Sequence, residues 1–166
     1  MTASRPYRVL VVCTGNTCRS PMAEGLLAAL LEERGIPAEV RSAGTFAMEG
    51  GPAQPYAVDT AAAASLDISR HVARQLDEDL VRWADTILCM TRSHARSVRA
   101  IDSTAEVRLV AEWAPDGVAG DGEIRDPMGW EREVYEAVFD DLRACLEEFA
   151  ADHAATRPGP RPATEA

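Results

Sequence analysis

With 166 residues and a formal net charge of −10, the chain is long enough for one domain with a proper core. It is also acidic enough to repel nucleic acid and anionic membrane surfaces, so neither is expected as a partner. All seventeen basic residues are arginine, which excludes a Walker-type lysine loop, a Schiff base and a lysine general base together.

The chain opens with Tyr7 to Val12, a short β-rich apolar run with the character of a central strand. Its apolar stretch is too short for the roughly 7–15 residues of a secretory core. No run approaches the ~20 apolar residues of a membrane span. A cytoplasmic location is therefore expected. Ser20 is placed to cap a first helix with Pro21 at its first position. Met22, Leu26, Leu27, Leu30 and Leu31 then recur at helical spacing up to a stop at Gly35.

Glu39 to Ser42 reads as a second strand, Tyr56 to Leu66 as an alanine-rich helix and Leu76 to Ala84 as a short one. Thr86 to Met90 reads as a third strand, Ser93 to Ile101 as a helix and Val107 to Val110 as a fourth strand. Ala114 to Gly129 is rich in Gly, Pro and Asp, as long functional loops are. Val134, Val138, Leu142, Cys145, Leu146 and Phe149 mark the stripe of a final helix. Residues 1–155 are expected to form one domain and residues 156–166 a flexible tail. Alternation of strands and helices predicts an α/β fold with a parallel sheet covered on both faces. Its active site is expected beyond the carboxyl ends of the strands.

The chemistry concentrates in Cys13-Thr14-Gly15-Asn16-Thr17-Cys18-Arg19-Ser20-Pro21, which leaves the first strand and opens the first helix. Small and polar residues there let successive N–H groups wrap a tetrahedral oxyanion, with the helix N-terminus behind them. A thiolate at Cys13 is favoured by the same field. Arg19 returns to the same side of the loop, where its planar fork suits two phosphoryl oxygens. Gly15 is read as permitting the tight path, and Asn16 and Ser20 as fixing the loop or donating to the thiolate. Cys13, Cys18, Cys89 and Cys145 lack the paired spacing of a zinc site, and no metal or cofactor is expected.

These residues strongly resemble the low-molecular-weight protein tyrosine phosphatase family, whose signature is C-x-x-x-x-x-R-S near the N-terminus. Ser42-Ala43-Gly44, His71 and Asp126-Pro127 extend the resemblance over roughly residues 7–150. It implies a four-stranded parallel sheet flanked by helices, in three layers. It also implies a catalytic set of Cys13, Arg19 and Asp126, with phosphate held by Thr14, Gly15, Asn16, Thr17, Cys18 and Ser20. Ser42 and His71 are then orienting residues behind the loop. Asp126 has a physical case too: Pro127 holds it extended, and a carboxyl over the pocket could protonate a leaving group and then activate water. Its plain alternative is a turn aspartate. His94 and His153 have no functional case.

Thr17 decides the substrate. A bulky aliphatic matches this position in tyrosine-directed members, whereas threonine offers a hydroxyl to a guanidinium. The string CTGNTCRSPMAE resembles the bacterial protein-arginine phosphatase branch, and Asp126-Pro127-Met128-Gly129 lacks a tyrosine pair. Met128 departs from that branch, which tends to carry an aromatic residue there. Phosphoarginine in proteins is thus the expected substrate, with phosphotyrosine the alternative. The expected partners are phosphorylated proteins, with the enzyme a monomer or weak homodimer. Arsenate reductase and a non-catalytic phosphate-binding module are weaker readings, the former because Cys89 and Cys145 both read as core. Cys18 invites a reversible Cys13–Cys18 disulfide under peroxide, a plain packing role being the alternative.

Overall fold

The computed structural model describes residues 5–156. Four parallel strands form one sheet in the order β2-β1-β3-β4. They are β1 (Tyr7–Cys13), β2 (Ala38–Gly44), β3 (Thr86–Cys89) and β4 (Val107–Leu109). The helices are α1 (Arg19–Glu33), α2 (Pro55–Ala63), α3 (Glu78–Trp83), α4 (Arg92–Ile101) and α5 (Arg132–Thr156), with a 3-10 turn at Val110–Trp113. The flanked parallel sheet expected from the sequence is present.

Period-two alternation along β1 divides the core. Val9, Val11 and Cys13 pack with α1 and α5, while Leu10 and Val12 pack with α3 and α4 residues such as Leu80 and Val98. A strand buried on both faces has to be apolar throughout, hence the unbroken Val9–Val12 run. Cys13, the last residue of β1, therefore emerges on the α1 and α5 side at the carboxyl edge of the sheet.

The helix ends differ from expectation for definable reasons. Ser20 is not the cap of α1: Cys18 occupies that position without a side-chain cap bond, Arg19 is the first helical residue and Pro21 the third. Proline fits there because a first-turn N–H has no intrahelical partner to lose. At the other end, Gly35 N–H donates to Glu32 O and Ile36 N–H to Leu31 O, both at 2.9 Å, and Gly35 has φ +65°. This is a Schellman closure. Helix α2 closes the same way, through Ser65 N–H to Ala62 O and Leu66 N–H to Ala61 O. The left-handed residue there is Ser65 (φ 62°), so the helix ends three residues earlier than the sequence reading. Thr156, expected to begin the tail, ends α5 instead. The remainder of the expected tail lies outside the described residues.

Candidate active site

The Cys13–Arg19 loop is held open by having its carbonyls pulled outward. Cys13 O accepts from Thr45 N–H (3.0 Å), Thr14 O from Phe46 N–H (2.9 Å), Thr17 O from Gln54 N–H (2.9 Å) and Cys18 O from Met22 N–H (3.2 Å). His71 Nε2 donates to Asn16 O at 2.7 Å. With the carbonyls facing away, the N–H groups face inward. Those of Gly15 to Arg19 have no acceptor among the described residues. A ring of unpaired amides at a helix N-terminus is a ready receptor for a phosphoryl group.

Asn16 is the keystone of this loop. It is fully buried with φ +55°, a left-handed conformation that asparagine tolerates better than most residues. Its Nδ2 donates to Ser20 Oγ (2.8 Å) and Ser42 Oγ (2.9 Å), and its Oδ1 accepts from Arg74 N–H (3.0 Å). Gly15, expected to supply the tight path, is not crowded: an added Cβ would meet only Thr17 Oγ1, at 3.6 Å. Gly44 is the glycine that geometry requires, because a Cβ there would lie 2.4 Å from Thr14 O and 3.0 Å from Asn16 N.

Ser20 Oγ sits 2.9 Å from Cys13 Sγ, which is 3% exposed. Since Asn16 Nδ2 already donates to Ser20 Oγ, the serine proton is free to point at the sulfur. Thus Ser20, displaced from the capping role, is instead placed to donate to the Cys13 sulfur. His71 Nδ1 lies 3.9 Å from Glu24 Oε2. Burial lowers the His71 pKa and raises that of Glu24, so both shifts disfavour an ion pair and leave His71 a neutral donor to the loop.

Arg19 is 4% exposed. Its Nη1 donates to Ile124 O (2.9 Å), while Nη2 lies 3.4 Å from Thr14 Oγ1 and 3.6 Å from Asp126 Oδ2. Asp126 is half exposed and accepts from Met128 N–H through Oδ1 (3.0 Å), an Asx turn that orients the other oxygen toward Arg19. A cavity of about 470 Å³ opens over Arg19 and Asp126, lined also by Thr14, Asp121, Glu123 and Arg125. Thr17 is half-buried and is not in that lining; its hydroxyl lies 3.8 Å from Cys18 Sγ. Cys18 is buried, burial raises its pKa, and its sulfur is 3.5 Å from the Tyr135 hydroxyl. All four cysteines are free thiols.

His94, given no role by the sequence reading, lies in the wall of this cavity. Its Nδ1 accepts from Thr91 N–H (3.2 Å) in a capping box that starts α4. Nε2 therefore carries the proton and donates to Thr14 Oγ1 at 2.8 Å. The Thr91-x-x-His94 spacing, a capping box with histidine in the usual Glu/Gln place, was the available signal. Burial, and then the Arg19 charge, push the His94 pKa down to about 4.

A histidine kept neutral makes the unfolded state the better proton binder between its folded pKa near 4 and its ordinary 6.5. Stability is complete above about pH 6.5 and falls as pH drops toward 4, by up to about 3 kcal/mol at 1.36 kcal/mol per unit. Urea denaturation at pH 7 and pH 4.5 should show that acid loss in the native chain and a smaller one in His94→Asn.

A parallel α/β sheet whose first strand feeds an amide-lined loop, with a cysteine at its start and an arginine at its end, defines a protein built to handle a phosphoryl-sized anion. The profile of the family described as "Low molecular weight phosphotyrosine protein phosphatase" matches residues 8–157. The chain is 40% identical over 147 residues to a protein-arginine-phosphatase of Geobacillus stearothermophilus, covering 87% of this chain and 95% of that one. It is 36% identical over 143 residues to a probable low molecular weight protein-tyrosine-phosphatase, AmsI, of Erwinia amylovora, covering 85% and 93%. Among solved structures, a YwlE arginine phosphatase mutant with a phosphorylated active-site serine superposes with a TM-score of 0.82. It is 34% identical, over 90% of this chain and 97% of that one. The chain belongs to the low molecular weight phosphotyrosine protein phosphatase family and is a protein phosphatase of the hydrolase class.

Proposed function

We propose that the protein hydrolyses phosphoarginine in proteins, with Cys13 as nucleophile, Arg19 as phosphoryl clamp and Asp126 as general acid and base. The Cys13 thiolate, stabilised by Ser20 Oγ and the helix N-terminus, attacks phosphorus in line with the departing nitrogen. The S–P bond forms as the P–N bond breaks. The inward amides of the loop and the Arg19 fork hold the equatorial oxygens, whose charge redistributes in the transition state. Asp126 protonates or supports the leaving guanidine, then removes a proton from the water that cleaves the phosphocysteine. That step releases inorganic phosphate and returns the thiolate. Asn16, Ser42, His71 and His94 position the loop and Thr14; none of them needs to touch the reacting atoms.

The observation that carries the arginine reading is the composition of the cavity wall. Asp121, Glu123 and Asp126 give the wall three carboxylates beside Arg19 and Arg125, and no phenylalanine, tyrosine or tryptophan lines the cavity among the described residues. A guanidinium leaving group is attracted by that wall. A phenol would want an aromatic or aliphatic wall to pack against. The protein-arginine-phosphatase relative supports the same choice, while the probable tyrosine phosphatase relative keeps phosphotyrosine as the alternative. Thr17, four residues after Cys13, offers a hydroxyl where tyrosine-directed members carry an aliphatic.

An arsenate-reducing relay is disfavoured by the placement of the other cysteines. Cys89 and Cys145 are both fully buried and pack in different core clusters. Burial pushes their thiols up to about 12 and about 11. No described helix is long and apolar enough to cross a membrane.

The test is kcat/KM on peptides of one sequence carrying either phosphoarginine or phosphotyrosine, for the native chain and Thr17→Ile. The native enzyme should prefer phosphoarginine, by tenfold or more on the ~1.4 kcal/mol that one well-placed polar contact provides. Thr17→Ile should shrink or reverse that ratio. Preference for phosphotyrosine in the native enzyme would replace the arginine reading with the tyrosine one and leave the chemistry of Cys13 standing.

A further inference from the structure

We propose that the arginine-lined groove between α4 and β4 is a docking site for an acidic segment of the polypeptide substrate. This rests on the protein-phosphatase reading of the neighbouring cavity. Arg92, Arg96 and Arg99, spaced i, i+4 and i+7, share one face of α4, while His94, Ala95 and Val98 are buried beneath it. Arg108 joins them from β4, and together they line a groove of about 410 Å³ with an apolar floor of Ala95, Val107 and Leu109. All four arginines are exposed.

The ordinary explanation of a charged helix face is a solvated surface, but such faces mix their signs. Arg82, on α3, takes the carboxylate of Glu78 four residues away. Helix α4 holds no acidic residue at all in its run RSHARSVRAI. Glu112 is the sole carboxylate lining the groove, and it is paired with Arg108 at 3.1 Å; Arg92 reaches Glu123 at 3.3 Å. Arg96 and Arg99 have no carboxylate partner among the described residues. Four of seventeen arginines thus meet in one groove of a chain whose net charge is −10. That is the reverse of the average surface, and like charges held together favour an anionic occupant.

The groove and the cavity draw on consecutive residues at the start of α4. Ser93 and His94 line the cavity, and their neighbour Arg92 lines the groove. A polypeptide seated by its phosphoryl group and leaving over the start of α4 therefore enters the arginine row. At 1.5 Å rise per residue, Arg96 and Arg99 lie roughly 6 and 10 Å further along the helix axis. An extended chain covers about 3.3 Å per residue, so the acidic positions fall roughly two and three residues beyond the one that passes Arg92. Guanidinium forks suit carboxylates at those positions. The overall negative charge, together with protein as the substrate, favours an acidic polypeptide over a nucleic acid.

The experiment compares two phosphoarginine peptides that differ only in glutamate or glutamine at those flanking positions. The native enzyme should show about a tenfold lower KM for the glutamate peptide at unchanged kcat, a preference fading near 0.5 M salt as exposed pairs are screened. The Arg96→Gln/Arg99→Gln double variant should lose the preference while hydrolysing p-nitrophenyl phosphate at the native rate. Equal KM values for the two peptides, or a preference that survives in the variant, would overturn the proposal. If the native enzyme left p-nitrophenyl phosphate intact, the catalytic reading would fall separately. Anisotropy of a labelled, unphosphorylated glutamate peptide would then decide the groove, the proposal requiring weaker binding to the variant than to the native chain. An RNA oligonucleotide that bound as tightly as that peptide would contradict the polypeptide assignment.

Discussion

Cys13→Ser should lower kcat by at least about 10⁴-fold, because a hydroxyl at this position keeps its proton and is a far poorer nucleophile and leaving group than a thiolate. Everything that makes the sulfur a good nucleophile here is geometric: the Ser20 hydroxyl 2.9 Å away, the inward amides and the α1 N-terminus. Those features survive the substitution, so the variant should still bind inorganic phosphate or a phosphopeptide. Arg19→Lys should cost about 10²–10³-fold in kcat, the scale for removing one donor aimed at developing charge. A lysine also loses the hydrogen bond from Nη1 to Ile124 O, which ties the segment before Asp126 to the loop. Steady-state kinetics together with phosphate binding by calorimetry checks both variants. Cys13→Ser retaining a tenth of native kcat would refute the nucleophile assignment.

Asp126→Asn should separate the two chemical steps. The amide can neither protonate a leaving group nor accept a proton from water, and loss of general acid–base assistance costs about 10²–10⁴-fold. With a phosphoarginine peptide both formation and hydrolysis of the phosphocysteine should slow. With p-nitrophenyl phosphate, whose leaving group needs no proton, formation should remain fast and only hydrolysis should suffer. Stopped-flow traces of the variant should therefore show a burst of nitrophenolate followed by slow turnover, and no such burst with the native chain. Asp126 sits half exposed and 3.6 Å from Arg19, close enough to serve and open enough to meet water. Equal slowing of both steps with both substrates would point instead to a structural role through the Met128 turn.

The sheet was legible because its signals are local. The Val9–Val12 run is fully apolar since β1 is buried on both faces, and Gly35 marks the end of α1 through its positive φ. Where a common sequence signal was borrowed for another purpose, the reading went astray. Ser20-Pro21 looks like a helix start, yet Ser20 faces back to Cys13 and Asn16. Ser65 closes α2 in a conformation usually left to glycine, so α2 read as too long. Gly15 drew attention as the flexible residue, whereas the strained position is Asn16 and the crowded one Gly44.

Relations across the chain were the least visible. His94 meets Thr14 over 80 residues, and His71 meets Asn16 over 55. Nothing in the local pattern announces either contact. The wall of carboxylates likewise depends on how the segment around Asp121 and Asp126 folds over Arg19. In the sequence Asp121 looks like an ordinary turn residue, and Asp126 stands out only through Pro127 and the family resemblance. The arginine row of α4 was open to view as an i, i+4, i+7 pattern, but its meaning depends on Arg108 arriving from β4.

Trapping the covalent intermediate tests the central claim most directly. Asp126→Asn mixed with a phosphoarginine peptide, quenched within the first turnover and digested for mass spectrometry, should yield a single phosphoryl group on the peptide containing Cys13, absent from Cys13→Ala/Asp126→Asn. Phosphoarginine consumed with no phosphoryl group on Cys13 at any quench time would contradict the account.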